Sequence, residues 1–238
     1  MKTFTMTLAT IGLLATAAAN AEVSGSVTGA FTSDYDFRGV SQSAGDPAVQ
    51  GSLDLEGSSG WYIGVWGSKV DFGPGDSTDL ELDWYAGFTM GETWVWDAGI
   101  TRYSYPNGDD LDYTELYLGV DYDGAENWGA GFKQWYSYDW FGFENTDGYY
   151  SELNGHYMLP WFDIGLSGHV GYTWGDGPDD FYDTYTDYSV GVFKKWWDDR
   201  IETHIRYVDT DISGDLEEKS GAFENDGRVI GHISITFP

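Results

Sequence analysis

The stretch DLELDWYAGFTM, residues 79–90, decides the fold because its polarity alternates with a period of two residues. Its even-numbered positions are apolar from Leu80 to Met90, while its odd-numbered positions are polar or small and include Glu81 and Asp83. Successive side chains of a β-strand point to opposite faces, so this strand has one apolar face and one face that carries carboxylates. A strand that separates lipid from a water-filled interior has this pattern.

The same alternation recurs in twelve segments after Ala21, and no helical periodicity of convincing length interrupts them. The other eleven segments are VSGSVTGAF, AVQGSLDLE, WYIGVWGS, WVWDAGITRY, YTELYLGV, WGAGFKQW, SELNGHYML, FDIGLSGHVGYTW, TDYSVGVF, IETHIRYV and RVIGHISITF. A secreted β-sandwich also alternates its faces, but its core does not bury the carboxylates and histidines found on these polar faces. The pattern therefore favours a barrel with a wet interior.

The connections between the segments alternate between six long loops and five tight turns, which leaves both chain ends at the tight-turn end. The long loops are residues 39–47, 70–79, 105–112, 137–148, 175–187 and 209–226. This arrangement predicts an all-β fold, an antiparallel up-and-down transmembrane β-barrel of the outer membrane with twelve strands, formed by residues 22–238 as a single domain. The final strand is expected to pair with the first, because lipid does not tolerate open edges, and Pro238 is expected just past the ladder.

The N-terminus predicts export. Residues 1–21 contain one cation, Lys2, then an apolar stretch from Leu8 to Ala19 and a small-residue site that ends at Ala21. This is the pattern of a secretory signal peptide cleaved after Ala21, and the apolar stretch is shorter than the roughly 20 residues of a membrane-spanning helix.

The composition excludes two classes of function. The formal net charge of −29 would repel a phosphate backbone, so nucleic acid is not an expected partner. The absence of cysteine removes disulfides and thiol catalysis.

The 12 Trp residues are more than loops require, and interfacial aromatic girdles account for them. The expected girdle residues are Trp61, Trp84, Trp94, Trp96, Trp128 and Trp174.

Several motifs resemble a known family. TSDYDFRGVSQSAGDPAVQGSLDLE at 32–56 is similar to the opening signature of the TorF family of porins, also called the Gcw_chp family, and LELDWYAGF, RYSYPNG, YSYDWFG and GRVIGHISITF extend the likeness over nearly the whole mature chain. The resemblance implies a small β-barrel of the Gram-negative outer membrane with a porin role. It implies no catalytic or cofactor residues. Outer-membrane barrels usually end on Phe itself, whereas Phe237 is followed by Pro238 here.

The polar faces predict the lining of a pore. The expected lining residues are Asp36, Arg38, Asp54, Glu56, Glu81, Asp83, Asp97, Glu115, Lys133, Glu152, His156, His169, Asp187, Glu202, His204, Arg206, Arg228 and His232, together with Asp34, Gln50 and Asn154. Acids outnumber bases, so one interpretation is a narrow aqueous pore for small hydrophilic solutes with a preference for cations. The alternative is a closed barrel in which Arg38, Arg206 and Arg228 pair with carboxylates and fill the centre.

Two patterns resemble metal sites, and neither is expected to bind a metal specifically. The four histidines lie on the polar face in two pairs of neighbouring strands, but they lack the three or four ligands that a metal needs, so they are expected to be hydrogen-bonded or solvated. The loop DTDISGDLEEKS, residues 209–220, resembles a calcium loop, yet Ser220 stands where a bidentate Glu belongs. The six loops hold 22 acids and one base, Lys219. A solvated acidic surface is expected, and weak binding of divalent cations is the alternative.

Two other functions stay as alternatives to the porin. An outer-membrane hydrolase would use Ser167 with His169, or Glu152 with His156, but no nucleophile elbow or oxyanion motif accompanies either pair, and no enzyme or cofactor is expected. A closed surface-binding barrel would use the acidic loops. The expected partners are outer-membrane lipid and lipopolysaccharide, small solutes or cations, and the barrel-assembly machinery, and the oligomeric state is left open.

Overall fold

The structure is a closed antiparallel β-barrel of twelve strands, as the alternation predicts. It is a computed structural model that describes residues 22–108, 111–181, 183–214, 216 and 220–238, so the expected signal peptide lies outside the described residues. The barrel strands are β1 (Val23–Thr32), β4 (Ala48–Gly57), β5 (Trp61–Lys69), β6 (Leu80–Met90), β7 (Trp94–Ser104), β8 (Tyr113–Tyr122), β9 (Trp128–Ser137), β10 (Gly148–Met158), β11 (Ile164–Trp174), β12 (Tyr185–Trp196), β13 (Ile201–Thr210) and β14 (Arg228–Phe237).

Three short elements lie in the long connections. The strands β2 (Asp36–Phe37) and β3 (Val40–Ser41) pair with each other only, and they form a small hairpin between β1 and β4. A 3-10 turn spans Trp140–Gly142, and a short helix, α1, spans Asp176–Phe181. No helix among the described residues is long and apolar enough to cross a membrane.

The barrel is closed by its two end strands, which confirms the prediction for the last segment. The strand β14 pairs antiparallel with β1 over a register that runs from Val27 opposite Phe237 to Thr32 opposite His232. Pro238 follows the last strand residue, where its missing backbone N–H costs the ladder nothing. The ring of strands therefore has no open edge.

The outer face of the barrel is apolar. Leu118 of β8, Val190 of β12 and Val229 of β14 are more than half exposed although they lie within strands. Exposed apolar side chains repeated around a closed barrel require an apolar surrounding medium. The expected girdle residues Trp84, Trp94, Trp96, Trp128 and Trp174 are exposed, and Trp61 is partly exposed.

The hydrophobic core lies inside the barrel, toward the end that carries the long loops. One buried cluster joins Tyr35 of the first loop to Ala48 and Val70, and the partly buried Phe37 packs against it. Phe37 also contacts a second cluster of Tyr103, Tyr105 and Tyr113, in which the rings of Tyr103 and Tyr113 stack at 4.4 Å. The first loop therefore folds into the barrel and contributes to its core.

Candidate functional site in the barrel interior

The hairpin of β2 and β3 carries the first part of the site. Its two-residue tip is Arg38 and Gly39, whose φ angles are 52° and 84°. Positive φ at both central residues is the geometry of a type I′ turn, which matches the twist of the flanking strands. A Cβ on Gly39 would lie 2.8 Å from the Cβ of Asp187, so only glycine allows the tip to approach the barrel wall this closely.

The hairpin tip ends in a buried ion pair with the wall. The Arg38 guanidinium donates from Nη1 to Oε1 of Glu115 at 3.0 Å and from Nη2 to Oε2 at 2.7 Å. Tyr103 Oη donates to the same Oε2 at 3.0 Å. Glu115 is fully buried, so this bidentate pair, together with the Tyr103 hydroxyl, satisfies a carboxylate that would otherwise be costly to bury.

Two further arginines hold the base of the hairpin. Arg228 of β14 donates from Nε to Asp34 at 2.5 Å, from Nη2 to Asp36 at 2.8 Å, and from Nη1 to the carbonyl of Gly39 at 3.0 Å. Arg206 of β13 contacts the second oxygen of Asp36 at 3.4 Å. These contacts join the first loop to the last two strands of the chain. The closed-barrel interpretation required arginine–carboxylate pairs of this kind.

Asp36 and Arg38 were predicted to line the interior as residues of a wall strand, but the structure places them in the hairpin. The wall strand β1 ends at Thr32, and the chain then turns inward, so these two residues reach the interior from the hairpin and not from the wall. Asp34 precedes the hairpin and accepts hydrogen bonds from Ser41 and Ser43 at 2.5 and 3.1 Å.

A cavity of about 720 Å³ lies beneath the hairpin. It extends from Asp121 and Asp123, close to a tight turn, to Asp36 and Arg38 of the hairpin. The wall residues that line it include Trp135, Tyr150, Glu152, Asn154, His156, Ser167, His169, Asp187, Ser189, His204 and Arg206, from five successive strands. The lining combines charged and polar side chains with aromatic rings, and convergent polar groups of this kind can orient a bound small molecule.

A smaller cavity of about 470 Å³ lies against the opposite part of the wall. Lys133 of β9 donates to Asp97 of β7 at 2.9 Å, and Tyr62 of β5 donates to the other oxygen of Asp97 at 2.7 Å. The hydroxyls of Tyr62 and Tyr117 are also hydrogen-bonded. The single lysine of this group is therefore held in a network that crosses the interior between β5 and β9.

The carboxylates nearest the long loops are deeply buried. Glu81 accepts a hydrogen bond from the Tyr105 hydroxyl at 3.2 Å. Burial raises the pKa of the Tyr105 phenol well above its ordinary value, and the charge of Glu81 raises it further, so Tyr105 stays a neutral donor. Oε2 of Glu81 and Oδ1 of the neighbouring Asp83 have no hydrogen-bond partner among the described protein atoms.

The remaining predicted lining residues all lie in barrel strands, on the face opposite the exposed apolar side chains. They are Gln50, Asp54, Glu56, Glu81, Asp83, Asp97, Glu115, Lys133, Glu152, Asn154, His156, His169, Asp187, Glu202, His204, Arg206, Arg228 and His232. The structure brings His169 and Asp187 together at 2.7 Å, and it places His204 directly across the ladder from His232. That these residues line a pore stays a prediction.

His169 and His204 form hydrogen bonds, and among the described residues no group of three or more His, Cys, Asp or Glu side chains has the geometry of a metal site. His169 contacts Asn154 at 2.7 Å through its other ring nitrogen. Ser167 contacts Nε2 of His204 at 2.9 Å, so its partner differs from the His169 considered for a hydrolase. The sequence did not indicate this pairing because Ser167 and His204 lie in β11 and β13, which are separated by β12.

The calcium-like loop has its first acids engaged by the protein. Asp209 accepts hydrogen bonds from the hydroxyls of Tyr188 and Tyr207 at 2.9 and 2.8 Å, and Asp211 accepts one from the backbone of Thr186 at 2.6 Å. The other acids of this loop, residues 215, 217 and 218, and Lys219 lie outside the described residues.

Solved structures of channel proteins share this architecture. The chain resembles a KdgM porin with a TM-score of 0.59 and 9% identity, over 90% of this chain and 99% of that one. A KdgM porin in complex with disordered oligogalacturonate gives a TM-score of 0.59 and 8% identity, over 90% of this chain and 100% of that one. At these identities the likeness shows the fold, which is the twelve-stranded barrel of outer-membrane porins. No curated protein matches the chain.

A family model adds a relationship by sequence. The model of the family described as "Bacterial protein of unknown function (Gcw_chp)" matches residues 14–237, which is nearly the whole chain. The match includes every barrel strand and the hairpin with Arg38 at its tip. The protein therefore belongs to the Gcw_chp family.

Proposed function

We propose that this protein is a porin-like channel of the outer membrane for passive diffusion of small hydrophilic solutes. The observation that carries the proposal is the polar cavity of about 720 Å³ inside a closed barrel whose outer face is apolar. An apolar exterior suits lipid, and a polar cavity that runs along the barrel interior suits a hydrated solute.

The charge of the cavity supports a preference for cations. Its lining contains the acids Asp36, Asp121, Asp123, Glu152 and Asp187, whereas Arg38 and Arg206 are its only strong bases among the described residues. Both arginines are engaged in ion pairs, with Glu115 and Asp36 respectively. The field that remains for a passing solute is negative, which raises the local concentration of cations.

The hairpin supports a second candidate, a barrel that is closed in its resting state. The tip and base of the hairpin are fixed by arginine pairs, and its aromatic residues pack in the interior toward the long loops. A channel of this design conducts through the space left beside the hairpin or after the hairpin moves. A closed barrel would instead act at the surface through its acidic loops.

Export and partners follow from the same proposal. The chain would be cleaved after Ala21, inserted by the barrel-assembly machinery, and oriented with its tight turns toward the periplasm and its long loops toward lipopolysaccharide. We propose no catalytic role for Ser167 or the histidines, because a channel lining accounts for their polar contacts.

Single-channel recording of the refolded mature protein in a planar bilayer with a salt gradient tests the proposal. Discrete steps whose reversal potential is cation-selective are the expected result. Anion-selective steps would contradict the charge argument, and inserted barrels without steps would favour the closed barrel. A matched Glu152→Gln variant should move the reversal potential toward zero, because Glu152 lines the cavity.

A further inference from the structure

The Arg38 guanidinium lies in an aromatic cage inside the barrel. Its Cζ atom is 4.2 Å from the ring centroid of Tyr150, 4.6 Å from Phe37, 5.4 Å from Trp140 and 5.9 Å from Trp135. Each ring is within the distance of about 6 Å at which a cation is attracted to an aromatic face. The bidentate pair with Glu115 completes the cage with a carboxylate.

Most of this cage belongs to the barrel and not to the hairpin. Glu115, Trp135 and Tyr150 lie in three successive strands, β8, β9 and β10. Trp140 is fully buried in the 3-10 turn that connects the last two of these strands. Only Phe37 is carried by the hairpin itself, so the wall and the 3-10 turn would keep three rings and the carboxylate if Arg38 were removed.

The chemistry of the cage is specific for a planar cation. Two parallel N–H bonds, at 3.0 and 2.7 Å, match the two oxygens of Glu115, and a compact ammonium cannot reproduce both. A guanidinium is also more weakly hydrated than an ammonium and stacks on aromatic faces. The cage therefore selects guanidinium groups over other cations of the same charge.

The cage is continuous with the polar cavity. Arg38, Trp135 and Tyr150 also line the space of about 720 Å³ that extends toward the tight-turn end. A solute in this cavity therefore meets the cage directly. The tip that fills the cage is a two-residue turn. The backbone of Arg38 lies in the left-handed region, which residues other than glycine adopt rarely.

We propose that this cage is a guanidinium-binding site, occupied in this structure by the protein's own Arg38, and that solutes bearing a guanidinium group enter it by exchange with Arg38. The binding site stands on the contacts alone, whereas the exchange during transport rests on the proposed channel function. Because Arg38 is tethered, its effective concentration is in the millimolar range or above, so a free guanidinium competes poorly in the wild-type protein.

The test replaces the tethered cation by a free one. The readout is the temperature at which the folded barrel is lost on heat-modifiability gels. In the Arg38→Ala protein, methylguanidinium should raise this temperature. Its apparent affinity should be at least tenfold higher for Arg38→Ala than for the wild-type protein. Tetramethylammonium is the control ligand, since it carries the charge but no N–H donors. Arg102→Ala is the control protein, because the Arg102–Asp112 pair is exposed.

The carboxylate partner provides a second control. Adding Glu115→Gln to Arg38→Ala should abolish the preference for methylguanidinium over tetramethylammonium. If Arg38→Ala refolds only when methylguanidinium is present, that rescue also supports the site. Equal effects of the two ligands, or failure to refold even with methylguanidinium, would overturn it.

Conductance separates the site from the channel. In Arg38→Ala, methylguanidinium should block the single-channel current at concentrations at which tetramethylammonium does not. Binding without block would refute the exchange of solutes at the cage and leave the site in place. Absence of current from both wild type and Arg38→Ala would refute the proposed channel, while the melting experiment would still decide the binding site.

Discussion

The hydrogen bonds and ion pairs that join Arg228 to the first loop yield a quantitative prediction about the hairpin. Replacement of Arg228 by alanine removes its bonds to Asp34 at 2.5 Å, to Asp36 at 2.8 Å and to the Gly39 carbonyl at 3.0 Å. The side chains of the Arg228–Asp34 pair are 10% and 7% exposed, so the carboxylate is left in a poorly hydrated place. Removing one partner of a buried ion pair costs about 3–5 kcal/mol.

The lower end of that range applies here because the carboxylates keep other partners. Asp34 retains its bonds from Ser41 and Ser43, and Asp36 retains Arg206. A loss of about 3 kcal/mol of docking free energy corresponds to roughly a hundredfold rise in the fraction of molecules with an undocked hairpin. The closed ladder of the barrel is not affected, so this motion is expected to leave the folded wall intact.

The absence of native cysteine makes the undocked fraction measurable. Val40 is 3% exposed, and Val40→Cys introduces a single buried thiol of similar size in the hairpin. Its labelling by a water-soluble maleimide should be about a hundredfold faster in the Arg228→Ala background, and unchanged in an Arg102→Ala background. A labelling rate that changes less than twofold in Arg228→Ala would refute the role of Arg228 in holding the hairpin.

Three further predictions concern the barrel and its export. Ile233→Pro should prevent barrel assembly, measured as loss of heat modifiability, because Ile233 pairs with Phe31 at the closing ladder and proline cannot donate there; normal assembly would contradict closure through β14. Leu118→Arg should destabilise the inserted barrel by about 2–4 kcal/mol in urea unfolding from bilayers, with Leu118→Met as the control, since Leu118 is 55% exposed on the apolar face; a cost below about 0.5 kcal/mol would place this residue away from lipid. Intact mass measurement of the exported protein should give a chain that begins at Glu22, and retention of residues 1–21 would rule out the predicted cleavage.

The wall of the barrel could be predicted from local sequence because each strand carries its own period-two pattern. Residues 79–90 fix which side chains of β6 point outward, and the same rule places Leu118, Val190 and Val229 on the apolar face. The last segment predicts its own partner, because a strand at the chain end must pair with the first strand if no edge is to remain. The outward faces depend only on neighbouring residues, and the pairing of the last strand with the first depends only on barrel closure. Both can be inferred from a single sequence.

The interior depended on contacts between residues far apart in the sequence. The alternation treated Arg38 as another residue of a wall strand, but the wall ends at Thr32 and Arg38 meets Glu115, 77 residues later in the chain. The one local signal was the Arg-Gly pair, a two-residue turn between short strands that is less typical than Asn-Gly. The sequence determined which charged residues face the barrel interior. The tertiary structure decided which of these charges pair, because a buried charge is stable only where folding brings a partner to it.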